Sequence, residues 1–303
     1  MIIDPRQTTA EYLTTWLTEK ELHLKPTTIA RYRAYITQDL IPALGTIPLD
    51  DLTRHHLSVF VTDQLHHGRG RVTVHRIMAT LSSALSDAVT GERLPRNPAK
   101  PPLISRPAPA ERHLWTEEQA AHFLRFTHVT DPMFADLAEL MIGTGMRKGE
   151  VLALCWDDVH LPERTLFVRA TLSTIDNNQL LLTAPKTKGS RAWVALSDRV
   201  AAALEDRAGS RAFGQITPAA GYVFHRHGRP LHPKNVLDHF HLLCDKAGVP
   251  RIALHDMRHL TASFAMAAGV ALPVVSKTLR HRTLSTTANI YAGLTRLAAR
   301  AAG

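Results

Sequence analysis

Cysteine is nearly absent from this chain: two stand among 303 residues, Cys155 and Cys244. They are far apart, each in an apolar helical context, LALCWDDV and FHLLCDKAG. That count and spacing give no disulfide framework and no cysteine-built zinc site, and both thiols read as small buried residues. Also missing is any uninterrupted apolar run long enough to span a bilayer. The hydrophobic content of 45% is ordinary for a globular protein. The opening residues, MIIDPR, carry neither a basic n-region nor a signal-like apolar stretch, which sets the expectation of an intracellular, cytoplasmic protein.

Acidic side chains are the other scarcity. Asp and Glu number 27 against 36 Lys and Arg, a formal net charge of +9. An excess of this size favours a polyanionic partner. Nucleic acid comes ahead of an anionic membrane, because no basic amphipathic helix with a fully apolar opposite face stands out. Arginine greatly outnumbers lysine, which suits bidentate phosphate contacts. Histidine is plentiful, at 18 residues, and the pairs His225/His227 and His239/His241 are close in sequence. No nearby Cys or carboxylate completes a ligand set around either pair, so they read as surface residues and no metal is expected.

The length favours two domains. Helical periodicity marks four helices in the first part: Tyr12, Leu13, Trp16 and Leu17 after Thr8-Thr9; Ile29, Tyr32, Ile36 and Leu40 after Pro26-Thr27, ending before Pro42; Leu57, Phe60, Val61 and Leu65 behind the cap Thr53; and a fourth from about Val72 to Val89. Each is amphipathic, so residues 1–94 can bury a small bundle core. The proline-rich stretch from Leu94 to Pro109 cannot be helical and predicts an extended linker over 95–110. From Glu111 the helical pattern resumes, with Thr116 and Gln119 as a capping box. A helical run over Phe134–Met141 is punctuated by Gly143-Thr144-Gly145 and restarts at Met146. Three segments are β-prone: Leu166–Val168, Gln179–Leu182 and Ala192–Leu196. The last two flank Lys186–Ser190 and read as a hairpin. The rest is mostly helical, apart from Tyr222–Phe224. The predicted fold class is mainly α with a small antiparallel β-sheet (α+β).

Four local signatures lie in the second part. GTGMRKGEVLAL holds Arg147 and, one turn on, Glu150. APKTKGSRAWVAL holds Lys186 and Lys188. LHDMRH holds His255 and Arg258, and their i,i+3 spacing puts both on one helix face. LRHRTLSTTANIYAGL holds His281 and, ten residues later, Tyr291. Taken alone, each has an ordinary reading: a helix-end charge, a charged turn, a surface helix pair, a half-buried aromatic. In this order they resemble the tyrosine recombinase (phage integrase) family. That family shows an Arg with a Glu three residues on, a hairpin Lys, His-x-x-Arg, then Gly-His and a Tyr nine or ten residues downstream. The resemblance covers nearly the whole chain, since the N-terminal bundle looks like the family's core-binding, SAM-like DNA-binding domain, with residues 111–303 as the catalytic domain.

The resemblance implies a site-specific DNA recombinase, an integrase that acts without metal, other cofactor or ATP. Tyr291 attacks a phosphodiester, expels a 5′ hydroxyl and leaves a 3′-phosphotyrosyl bond, which conserves the bond energy for rejoining. Charge building on the non-bridging oxygens needs stabilising. Arg147 and Arg258 would clamp them with planar, permanently charged forks. Lys186, with Lys188 as the alternative, would protonate the leaving oxygen. His255 would assist deprotonation of Tyr291, His281 would support the transition state by hydrogen bonding, and Glu150 would orient its surroundings. The implied partners are double-stranded DNA with paired half-sites, further copies of the chain in a tetrameric synapse, and accessory DNA-bending or directionality proteins, with no membrane. Arg31 and Arg33 are candidates for DNA contact.

Two positions depart from the family pattern: Arg280 stands where Gly usually precedes His281, and Ala195 replaces a Pro after the hairpin strand. Twelve residues follow Tyr291, a short tail, and the expectation is a simple two-domain recombinase without an arm-binding domain, or a shortened form of a larger one. Two rival functions share part of this reading. A type IB topoisomerase uses the same chemistry without exchanging partners, and a non-catalytic DNA-binding regulator keeps the fold without the reaction.

Overall fold

A computed structural model of the chain describes residues 7–108, 113–175, 179–184, 191–212 and 221–280. The chain divides into two compact units, Met1–Ala110 and Glu111–Gly303. Each has its own apolar core.

The first unit is helical. Thr8 and Glu11 form a capping box that starts α1 (Thr9–Glu21), where two orphan amides gain acceptors. Pro26 opens α2 (Pro26–Tyr35). The path does not stop before Pro42 as the sequence predicts. It widens through one π-turn, Ile36–Leu40, in which the Ile41 amide donates to Ile36 O, and continues as α3 (Ile41–Leu44). Proline in an unbroken α-ladder removes a donor and meets the carbonyl four residues back; the wider turn just before Pro42 shifts that ladder and lets the path continue. Thr53 caps α4 (Arg54–His66), and α5 (Arg71–Thr90) follows. Leu13, Leu57, Val74, Ile77, Leu81 and Leu85 are fully buried among these helices. Each such side chain contributes about 2 kcal/mol, so Leu81→Ala alone would cost roughly 3 kcal/mol. The Tyr12 hydroxyl donates to Ala84 O at 2.6 Å, and burial, helped by Asp87, pushes its pKa up to about 12.

Beyond α5 the proline-rich stretch is not free. Leu94, Ala99 and Ile104 join the first core. The Asn97 amide donates to Ser82 O and Ser86 Oγ, both at 2.9 Å. Arg54 Nη1 donates to Pro101 O at 2.7 Å.

In the second unit Thr116 and Gln119 cap α6 (Glu117–Thr130), and Asp131 caps α7 (Pro132–Thr144). α7 runs through Gly143 rather than breaking there, because that glycine packs against α9 (Asp198–Ala212): a Cβ on it would lie 2.4 Å from Val200 Cγ2. The helix ends at Gly145, whose φ of +62° is a conformation glycine adopts without penalty. Phe123, Phe134 and Phe240 pack at the centre, the last on α10 (Pro233–Ala247). Trp115 closes that cluster while its indole donates to Pro250 O at 2.7 Å.

The short strands are antiparallel, but their pairing differs from the predicted hairpin. β4 (Gln179–Thr183) pairs with β3 (Thr171–Ile175), a strand the sequence reading passed over, with Leu172 opposite Leu182. β5 (Trp193–Ala195) instead pairs with β2 (Thr165–Phe167), beside β1 (Val159–His160). Val194 sits opposite Leu166, and both are buried. A two-stranded turn, β6 (His225–Arg226) and β7 (Arg229–Pro230), precedes α10.

The histidine pairs are partly engaged. His239 lies 2.7 Å from its partner Asp131 Oδ2, and His241 is 3.3 Å from Ile252 O. Cys244 is buried, and burial pushes its thiol up to about 12; Cys155 is partly exposed.

Candidate active site

Arg147 is the residue just ahead of α8 (Lys148–Leu152), and Glu150 lies in that helix's first turn. The Glu150 carboxylate reaches back to the Arg147 amide through Oε2 at 3.0 Å and takes the Arg147 Nη1 on Oε1 at 2.8 Å. Gly149 lets this helix approach β3 closely, for a Cβ there would stand 2.6 Å from Leu172 O. The Arg147 side chain stays 38% exposed while that of Glu150 is only 2% exposed, so the carboxylate anchors from below and the guanidinium faces outward.

Arg258 arrives from α11 (Asp256–Ala267), with His255 as the residue that starts the helix. The two differ sharply in exposure: His255 is exposed, and Arg258 is the largest fully buried side chain among the described residues. Charged groups are rarely buried without partners. Here the Nη1 of Arg258 donates to Gly145 O and its Nη2 to Leu279 O. Gly145 precedes Arg147 by two positions, and Leu279 ends α12 (Leu272–Thr278). One guanidinium thus ties together three of the four sequence signatures. Burial first, then repulsion from Arg147 and Arg280 against the attraction of Glu150, pulls the pKa of Arg258 down to about 9. At neutral pH it remains a cation.

Arg280 completes the cluster. Its Nη2 donates to Glu150 Oε2 at 2.8 Å, and its side chain is 6% exposed. The backbone there has φ of +55°, the region glycine favours, at the place where the family pattern has Gly. In the sequence Arg280 stands out only as a departure from the Gly of the family pattern. Its burial against Glu150 joins positions far apart in the chain and leaves no local pattern.

Of the other expected residues, Lys186, Lys188, His281 and Tyr291 lie outside the described residues. Arg31 and Arg33 are both exposed on α2, and Arg33 is engaged by Glu21. Among the described residues, no group of three or more His, Cys, Asp or Glu stands close enough to hold a metal ion. No helix there is long and apolar enough to cross a membrane.

The phage integrase family profile matches residues 115–296, and that of the phage integrase N-terminal SAM-like domain matches residues 8–63. A tyrosine recombinase XerC-like protein of Caldanaerobacter subterraneus subsp. tengcongensis is 26% identical over 94% of this chain and 78% of its own length. The ICEBs1 integrase of Bacillus subtilis is 23% identical over 92% of this chain and 77% of its own. Among solved structures, the Tn1549 transposon integrase in complex with a circular intermediate DNA superposes with a TM-score of 0.83 at 18% identity, covering 94% of this chain and 95% of that one. A lambda integrase tetramer bound to a Holliday junction gives 0.73 at 16% identity, over 95% and 78%. The chain belongs to the phage integrase family and is a tyrosine site-specific recombinase.

Proposed function

We propose that this chain cuts and rejoins double-stranded DNA by a covalent 3′-phosphotyrosyl link at Tyr291. The observation that carries the proposal is the meeting of Arg147 and Arg258 around one buried carboxylate, with Leu279, two residues before His281, tied to the same cluster. A phosphodiester seated between the two arginines keeps its single charge, and the second charge that develops on attack meets donors already in place. The Tyr291 oxygen forms a bond to phosphorus as the bond to the 5′ oxygen breaks. The tyrosine proton leaves with help from His255, and the 5′ oxygen takes a proton from Lys186, with Lys188 next to it as the alternative donor. His281 hydrogen-bonds a non-bridging oxygen. Glu150 acts through Arg147 and is a positioning residue. A ring of fixed cations lowers the pKa of a neighbouring lysine, which suits it to give up a proton near neutral pH.

In this reading residues 1–94 are the core-binding domain, 95–110 the connection, and 111–303 the catalytic domain. Arg31 offers an exposed cation for the DNA backbone, and the net charge of +9 makes binding fall steeply with salt. Protomers bind paired half-sites and synapse two duplexes as a tetramer; support comes from the similar lambda integrase, which is a tetramer bound to a Holliday junction. The reaction serves integration or excision of a phage or mobile element, or resolution of chromosome dimers, with DNA-bending or directionality proteins as accessories. The test is recombination between two attachment sites, read by junction sequencing alongside relaxation of a supercoiled plasmid lacking any site. Exchange confined to site-bearing DNA is expected. Relaxation of every plasmid without exchange would point to a topoisomerase, and binding without either product to a regulator.

A further inference from the structure

We propose that Arg280 is a third phosphate-binding guanidinium of this site, donating through Nε and Nη1 to a non-bridging oxygen of the scissile phosphate. Three observations meet on it. The side chain is buried, yet among the described residues only its Nη2 has a hydrogen-bond partner, the Glu150 carboxylate. Nε and Nη1 are buried with no partner among the described residues. Buried donors left unpaired are costly and uncommon in native proteins, and a cation bearing two of them is a place prepared for an anion.

The second observation is charge. Arg147 and Arg280 share one carboxylate, and Arg258 lies close enough to both for its pKa to be depressed by them. Three guanidinium cations against one carboxylate leave an excess of two positive charges in a largely buried place. A phosphodiester brings one negative charge, and its five-coordinate transition state brings two. The cluster is therefore neutral when the transition state occupies it, which is where stabilisation accelerates the reaction. Arg280 neither gives nor takes a proton in this step.

The third observation is backbone conformation. A non-glycine residue at φ of +55° carries strain, and glycine would relieve it. The strained residue sits on the turn that follows α12, beside the Leu279 carbonyl that holds Arg258. Two of the three guanidiniums are thus set by the same turn, one through its side chain and one through a main-chain acceptor. An arginine kept at a glycine position, buried and half-satisfied, is accounted for by a ligand that completes it.

The identity of the anion rests on the recombinase reading above, so the experiment has two arms that fail separately. In the first, inorganic phosphate is titrated into the full chain at constant ionic strength, and binding is read by calorimetry for wild type, Arg280→Gly and Arg280→Lys. Arg280→Gly is expected to weaken phosphate binding at least tenfold while melting at or above the wild-type temperature, since glycine fits the backbone. Arg280→Lys keeps the charge on Glu150 but loses the fork, and is expected to weaken it several-fold; it decides the matter if the glycine variant does not fold. Phosphate affinity unchanged in the folded variants overturns the inference and leaves Arg280 a counter-ion of Glu150. In the second arm, adduct formation on a nicked attachment-site duplex at saturating protein is expected to slow at least tenfold in Arg280→Gly with DNA affinity retained. A wild-type rate there also overturns it. A wild-type chain that forms no adduct yet binds phosphate through Arg280 upholds the anion subsite and counts against the recombinase reading alone.

Discussion

The Glu150 carboxylate accepts from the Arg280 Nη2 at 2.8 Å across 130 positions of chain, and its other oxygen holds the Arg147 Nη1 at the same distance. One buried acid therefore fixes the spacing of two cations that approach from opposite ends of the second unit. Removing it as Glu150→Ala leaves three guanidiniums with no counter-charge, at an expected cost of about 3 kcal/mol to that unit. Urea denaturation followed by tryptophan fluorescence measures it. Glu150→Gln, which keeps the shape, is expected to lose less, and added phosphate to restore part of the loss in Glu150→Ala. Wild-type stability in Glu150→Ala would show that the cluster is not held by this acid.

Gly149 determines how closely α8 lies on β3, and hence where Arg147 points. Its Cβ in Gly149→Ala would stand 2.5 Å from Thr171 Oγ1 and 2.6 Å from Leu172 O. Backbone cannot yield as a side chain can, so an overpacking cost of about 2 kcal/mol is expected, with DNA cleavage falling alongside. Gly68→Ala is the control: its φ of +77° gives only the conformational penalty of about 1 kcal/mol, because nothing lies within 4 Å. Thermal melts of the two variants should therefore differ, the Gly149 variant melting lower.

Phosphate affinity should depend on pH through Arg258. Its pKa is pulled down to about 9, and the anion needs the charged form. As pH rises through 9 the fraction of charged Arg258 falls, so affinity for the phosphate dianion, the dominant species by about pH 8, drops roughly tenfold by pH 10. Calorimetric titrations at several pH values with Arg258→Lys alongside would check this. A flat profile to pH 10.5 in wild type would mean that the anion does not draw on this guanidinium.

In the first unit, Asp87 accepts from the Trp16 indole at 2.7 Å and from Lys20 Nζ at 2.9 Å. Burial alone would raise its pKa, but these two hydrogen bonds, with the Lys20 charge, hold it below the ordinary value. A depressed carboxyl stabilises the fold above its unfolded pKa and loses that contribution as pH falls through the folded value. Asp87→Asn should thus cost about 1 kcal/mol at pH 7, kept small by the exposure of the pair, and the difference from wild type should shrink as pH falls through the folded value of the carboxyl. Denaturation curves at pH 7 and pH 3 provide the comparison.

Local features were legible in the sequence. The Thr116/Gln119 box, the Thr53 cap and the i,i+3 pairing of Arg147 with Glu150 depend on neighbours within one turn, and the structure has all three. Pairing of strands was not. β3 reads TLSTI, with only Leu172 buried, too polar to stand out, so the sequence pattern points to a hairpin of β4 with β5 across the lysine-bearing loop instead. The helices run past the ends that Pro42 and Gly143 suggest for related reasons. A π-turn and a close helix contact override residue preference, and both are set by packing. The cation cluster was half legible: its motifs carry Arg147 and Arg258, but the buried place of Arg280 depends on Glu150 from a distant segment.

The central claim is that Tyr291 becomes covalently joined to DNA. A nicked duplex bearing the element's attachment site, whose short 5′ fragment diffuses away after attack, traps that intermediate on the full chain. The trapped complex, digested with trypsin and nuclease, should yield by mass spectrometry one peptide containing Tyr291 with a phosphate or nucleotide on it, and Tyr291→Phe should give no covalent complex while still binding the DNA. A covalent complex that persists in Tyr291→Phe, or a phosphorylated peptide elsewhere in the chain, would contradict the account.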